Sequence, residues 1–305
     1  MPDTNALNIA ETPSLSIAYE LSGAADGYPV ILLHGWPDDV RTWDNILPAM
    51  HRSNFRTFVP YLRGYGPTRF RSDSIKRFGQ LSALGQDLID FADALHLERF
   101  AVVGHDWGAR AAYIASCTLG PKRISHCVAL SVGWPTNDPD QTLELRQVQN
   151  YWYHWYMALE RGAELVRTNR RALTRYIWQI WNPAWTISDE EFDRTAASFD
   201  NPDWAEIVIH SYRVRWGLAP TDPALAHIEE QLKRSPEIVV PTLVIHGGAD
   251  PCNHPSTSEG KESFFRGSYQ RIVLDGVGHF PQREVPDEVA RAVTAFLSAP
   301  TPIRE

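Results

Sequence analysis

The chain has 305 residues, a length that accommodates one large buried core with an inserted lid and does not extend to several ordinary domains. Its formal net charge of −8 gives no reason to expect nucleic acid or an anionic membrane surface as partner. Basic residues are spread along the chain, and the short cluster Arg167, Arg170 and Arg171 reads as a solvated helix face without a role of its own. Met1 to Ala10 lacks the basic start and apolar run of a secretory signal, and no later stretch approaches the length of a membrane span. A cytoplasmic location is therefore expected. Cys117, Cys127 and Cys252 are odd in number and widely spaced, so reduced, non-catalytic thiols and no structural metal are expected.

In chain order, the first apolar run is Val30 to Leu33, read as a buried strand and followed by His34-Gly35-Trp36-Pro37. A second strand, Thr57 to Tyr61, leads into the loop Arg63-Gly64-Tyr65-Gly66. Leu84, Leu88, Phe91 and Leu95 then fall on one stripe at helical spacing, which predicts a helix over Leu84 to Leu95. Phe100 to Val103 reads as a strand, Ala109 to Ala115 as a helix and Cys127 to Val132 as a further strand. From about Trp134 to Ser235 the alternation stops, tryptophans and tyrosines accumulate, and Pro135, Pro139, Pro183, Pro202, Pro220 and Pro223 divide the segment into several helices. Strands resume at Pro241 to Ile245 and Arg271 to Leu274. This alternation predicts an α/β fold with a mostly parallel sheet covered by helices on both faces. The expected division is a core of residues 1–134 and 236–305 with a helical cap of residues 135–235 inserted in it. The tail from Ala299 to Glu305 is the one low-complexity segment.

Four places carry chemistry. Gly104-His105-Asp106-Trp107-Gly108 lies between a predicted strand and a predicted helix, the context of a nucleophile elbow, and its central residue is Asp106. The turn after Leu33 supplies a backbone N–H at Trp36, which with the N–H of Trp107 would form an oxyanion hole. Asp250, in His246-Gly247-Gly248-Ala249-Asp250, and His279, in Gly276-Val277-Gly278-His279-Phe280, each follow a strand. The order nucleophile, acid, histidine and the strand-end positions of all four point to one site at the carboxyl edge of the sheet.

With those residues in view, the chain resembles the α/β-hydrolase-fold epoxide hydrolases, with haloalkane and fluoroacetate dehalogenases as close relatives. The likeness covers about Val30 to Val289 and rests on the HGWP run, the RGYG loop, GHDWG and GVGHF; Tyr61 departs from it, where the family often has an acidic residue. The resemblance implies a cofactor-free, two-step hydrolysis without a metal. Asp106 would attack carbon and form an alkyl ester, and His279, oriented by Asp250, would activate the water that hydrolyses it. It further implies two cap tyrosines that donate to the epoxide oxygen, matched here by Tyr153 and Tyr212, with Tyr156 one helical turn from Tyr153 as a reserve. A tyrosine hydroxyl, whose reference pKa is about 10, can donate to and protonate an alkoxide.

The expected substrate pocket comprises His34, Trp36, Trp107, His154, Trp155 and Tyr156, and its aromatic content suits a small apolar or aromatic electrophile, with water as the second reactant. Dehalogenation is the alternative: Trp107 follows the nucleophile as in haloalkane dehalogenases, and His154, Trp155 and Tyr212 resemble the fluoride-contacting residues of fluoroacetate dehalogenases. Against the latter, Trp107 occupies the place of one of two expected arginines, Arg110 matching the other, and the expected acid after Leu130 has no carboxylate nearer than Asp138. A binding protein with lost chemistry would leave a triad position vacant, and none is. A homo-oligomer is compatible with the sequence.

Overall fold

The computed structural model describes residues 7–135 and 142–299. Asp138, Pro139 and all of the tail but Ala299 lie outside them. The strands are β1 (Leu7–Glu11), β2 (Leu15–Ser22), β3 (Tyr28–Leu33), β4 (Phe55–Pro60), β5 (Arg69–Phe70), β6 (Phe100–His105), β7 (Ile124–Leu130), β8 (Thr242–Gly247) and β9 (Tyr269–Leu274). They form one nine-stranded sheet in the order β1-β2-β4-β3-β6-β7-β8-β9, with β5 paired to β2. From β4 to β9 neighbouring strands are parallel. β1 and β2 are antiparallel to their neighbours. Every side chain of β6, β7 and β8 is buried, as expected of strands covered on both faces.

Two apolar clusters flank the sheet. Ile31, Leu33, Val102 and Ala129 face the helices Leu81–Ala94 and Trp107–Arg123 on one side. Val30, Leu32, Val103, Leu243 and Ile245 face the helix Pro286–Leu297 on the other. Between β7 and β8 the named elements are all helices, from Leu145–Asn150 to Ala226–Leu232.

The hairpin β1–β2 escapes the sequence reading because β1 is largely exposed and its residues do not form an apolar run. β7 begins three residues before the expected Cys127 and ends at Leu130, not Val132. Its polar start is tolerated because the Ser125 hydroxyl donates to the Phe100 carbonyl of β6 (3.2 Å), and its end is set by Ser131, which adopts φ +61°. The expected helix Ala109–Ala115 is longer on both sides, Trp107–Arg123.

The loop after β4 is anchored by Arg63. Its Nε and Nη2 donate side-on to the two Asp87 oxygens, each at 2.6 Å, and Nη1 donates to the Phe78 carbonyl at 2.6 Å. Both charges are buried. Removing one partner strands the other, so Arg63→Ala is expected to lower the unfolding free energy by about 3–5 kcal/mol. Denaturant titration measures this, and a loss under about 1 kcal/mol, the value of an exposed pair, would refute it.

Candidate active site

The carboxyl ends of β6, β8 and β9 bring Asp106, Asp250 and His279 together. Asp106 is held at φ +49° and ψ −112°, a strained conformation at the junction of β6 and the helix Trp107–Arg123. The turn closes only because its neighbours are glycines. A Cβ on Gly104 would lie 2.2 Å from the Gly108 carbonyl oxygen, and one on Gly108 would lie 2.3 Å from that of Leu33. A Cβ on Gly35 would meet the Asp106 side chain itself, 2.5 Å from its Cβ.

The Trp36 N–H donates to Asp106 Oδ1 at 3.0 Å. Trp107 is the first residue of the helix that starts at the nucleophile, where a backbone N–H has no intrahelical partner. His279 Nδ1 donates to Asp250 Oδ2 at 2.8 Å, while its Nε2 lies 3.7 Å from Asp106 Oδ2, buried and without a hydrogen-bond partner. Asp250 Oδ1 accepts from the backbone N–H groups of Cys252 (2.7 Å) and Asn253 (3.1 Å), so the acid is fixed before it orients the histidine. The histidine is fixed through its backbone too: its N–H donates to the Trp181 carbonyl (3.0 Å), and its own carbonyl accepts from His105 Nε2 (2.8 Å) and the Ser131 hydroxyl (2.9 Å).

Burial alone would neutralise these groups, and the charges around them decide otherwise. For Asp106, burial favours the neutral acid, but the adjacent His279 together with His105 and Arg110 holds its carboxyl well below the usual range. Asp250 is likewise opposed by burial and lowered to about 2, chiefly by His279. For His279 burial favours the neutral ring, and Asp250, Cys252 and Asp106 outweigh it, holding the imidazole well above its ordinary value. The resting arrangement is an imidazolium between two carboxylates.

Tyr153 and Tyr212 are both buried against the indole of Trp36. Tyr153 stacks on it at 5.5 Å between centroids, Tyr212 meets it edge-on at 5.3 Å, and the two phenol rings are 5.5 Å apart. Tyr212 also lies 6.0 Å from the Trp107 ring. The Tyr153 hydroxyl is 3.3 Å from Cys252 Sγ. Burial raises both phenols well above their ordinary pKa, so both are neutral donors. His154 is buried 4.6 Å from the Tyr212 ring with Nδ1 unpartnered.

Three other expected pocket residues stand apart. His34 accepts the Leu62 N–H at Nε2 (3.1 Å) and donates from Nδ1 to the Gly35 carbonyl (3.0 Å), so both ring nitrogens hold backbone. Burial lowers its pKa to about 4 and keeps it neutral. Trp155 is half-buried against Trp216, 4.1 Å between centroids, and Tyr156 packs beside Trp152 at 6.5 Å. Among the described residues neither has a ring contact with Trp36 or Trp107.

Three neighbours were not foreseen. Trp181 sits edge-on to His279 at 4.7 Å and to Trp36 at 5.7 Å, brought there from the end of the helix Arg170–Trp181 by tertiary packing that no local pattern encodes. Cys252, two residues after Asp250, lies close enough to Asp250 and His279 for the three to form a compact group. Arg215 follows Tyr212 by three residues on the helix Trp204–Arg215, a spacing that could have flagged it, because such residues share a face.

Residues 28–286 match the family model of the alpha/beta hydrolase fold. Epoxide hydrolase A of Mycobacterium tuberculosis is 28% identical over 308 residues, covering 89% of this chain and 91% of that protein. An epoxide hydrolase of Caballeronia sordidicola is 27% identical, covering 94% and 92%. Among solved structures, a protein of Klebsiella pneumoniae provisionally named an epoxide hydrolase superposes with a TM-score of 0.90 at 36% identity, covering 95% of this chain and 96% of that one.

Proposed function

This chain belongs to the α/β-hydrolase fold family and is a hydrolase, and from that premise we propose that it opens an epoxide to a vicinal diol through a covalent ester on Asp106. One observation carries the reading: a strained, ionised aspartate stands where a nucleophile elbow presents its reactive group, between the Trp36 N–H and a histidine already paired with an acid. That two relatives are epoxide hydrolases supports the epoxide as electrophile.

In the first step a lone pair of Asp106 Oδ2 attacks an epoxide carbon, the carbon–oxygen bond breaks, and the departing oxygen takes a proton from Tyr153 or Tyr212. Oδ1, which holds the Trp36 N–H, becomes the ester carbonyl oxygen. Esterification also removes the Asp106 charge, one of those that hold the proton on His279, so that proton passes to the phenolate left by the first step and the neutral imidazole can act as a base. It then takes a proton from water at Nε2, the hydroxide adds to the ester carbonyl, and the N–H groups of Trp36 and Trp107 bind the resulting oxyanion. Collapse breaks the bond from the ester carbon to the diol oxygen, the departing alkoxide takes the proton of the new Asp106 carboxyl, and the carboxylate and imidazolium of the resting site are restored. Tyr153 and Tyr212 both come from the helical segment between β7 and β8, on the helices Trp152–Ala158 and Trp204–Arg215.

A carbon–halogen bond would meet the same carboxylate, and one observation favours it: the indole Nε1–H of Trp36 is buried without a partner, as a halide donor would be. A panel of aryl and alkyl epoxides, haloalkanes and fluoroacetate, followed as diol or halide released, separates the two. Diol from an epoxide with no halide from the other compounds is the expected outcome; halide release alone would overturn it.

A further inference from the structure

Arg215, half-buried, ends the helix Trp204–Arg215 beside the site, and its surroundings are unlike those of Arg63 and Arg283. Its Cζ lies 5.1 Å over the Tyr212 ring and 5.9 Å from that of Trp107, so its faces are covered by the aromatic residues that border the nucleophile. Its Nε–Nη2 edge is enclosed but makes no hydrogen bond. Arg63 and Arg283 use that same pair of nitrogens, side-on, to hold Asp87 and Asp38. Arg215 has the geometry of those two without the carboxylate.

Two guanidinium donors stripped of water and left without an acceptor are costly. Stacking on Trp107 and Tyr212 compensates the faces and does nothing for the in-plane N–H groups. The one negative charge that acts on it is that of Asp106, a site residue, while Arg110 opposes it. Asp106 is already committed to His279. A planar fork of two parallel N–H donors is complementary to a carboxylate, which accepts both at once.

We propose that Arg215 is an anion subsite of the substrate pocket and that the electrophile this enzyme is built for carries a carboxylate, held side-on by Nε and Nη2. The epoxide part of this statement rests on the function proposed above, whereas the subsite itself rests on Arg215 alone. The carboxylate would offset the positive charge of Arg215 and Arg110, and it would place the reacting carbon on the Trp107 side of the pocket, next to Asp106.

The test uses the full chain and its R215Q and R215K variants with two matched pairs of compounds. Calorimetry with unreactive phenylacetate and phenylacetamide reads the subsite without turnover. Phenylacetate is expected to bind the native protein about 10- to 100-fold more tightly than the amide, the worth of a charge-assisted contact. R215Q should lose that preference, and R215K should keep part of it, because an ammonium restores the charge without the fork. Equal binding of acid and amide by the native protein, or a preference that survives in R215Q, would overturn the subsite. The second pair, 3-phenylglycidate and 3-phenylglycidamide, reads kcat/KM. A preference for the acid that falls in R215Q supports the whole proposal. Arg215-dependent binding of phenylacetate with neither epoxide opened would keep the subsite and reject the epoxide, and opening of the amide as fast as the acid would do the reverse.

Discussion

His279→Gln is expected to be alkylated once per chain and to stop there. Attack on the substrate needs the Asp106 carboxylate, which is ionised in its own right, while hydrolysis of the ester needs a base at Nε2. Loss of a positioned general base costs typically about 10² to 10⁴ in rate. Asp250 keeps the Cys252 and Asn253 N–H groups on its other oxygen, so the variant retains a hydrogen-bonded acid in the core. Intact-protein mass after incubation with an epoxide should rise by one substrate mass and stay there. An unchanged mass in a variant shown to bind substrate would count against the ester. In the native enzyme the two steps should also separate with pH. Asp106, depressed well below the usual carboxylate range, stays ionised in acid. His279, once its neighbour is esterified, loses a charge that raised it, so acidification should slow ester hydrolysis before alkylation and make the ester accumulate.

The second large effect concerns the tyrosines. Either Tyr153→Phe or Tyr212→Phe should leave partial activity, because the other hydroxyl still serves the leaving oxygen, and loss of one preorganised donor costs on the order of 10² to 10³ in rate. The double substitution should abolish epoxide opening. Folding should survive, since each Phe keeps the ring that packs against Trp36 and loses only a hydroxyl. Tyr153 can use its proton on substrate while Cys252 S–H donates to its oxygen, because the Oη to Sγ contact accepts either direction. The loss should fall on single-turnover alkylation and spare hydrolysis of an ester already formed. A double variant that opens an epoxide at the native rate would remove both tyrosines from the chemistry and turn attention to His154 and Trp36.

Much of the candidate site was legible because strand-end chemistry is local. Asp106, Asp250 and His279 each follow an apolar run by a short, glycine-containing turn, and in the structure the ends of β6, β8 and β9 deliver them to one point. What was not legible depends on long-range packing. The β1–β2 hairpin has a half-exposed face and no apolar run to announce it. His34 belongs to a motif that lines the site, yet its ring is turned to bind Leu62 and Gly35, a rotamer choice that spacing does not reveal. Trp181 reaches His279 only because its whole helix packs there. Arg215 could have been suspected from its position after Tyr212, but that it lacks a carboxylate is a fact of three dimensions.

The most direct measurement of the central claim is the origin of the oxygen in the first product. With enzyme in excess over a single turnover in heavy-oxygen water, the covalent route requires that water attack the ester carbonyl and that an Asp106 oxygen leave with the diol. The first diol is expected to carry ordinary oxygen, with a heavy oxygen retained in the peptide containing Asp106. Heavy oxygen in that first diol, with an unlabelled Asp106 peptide, would mean that water attacks the epoxide directly and would contradict the covalent route.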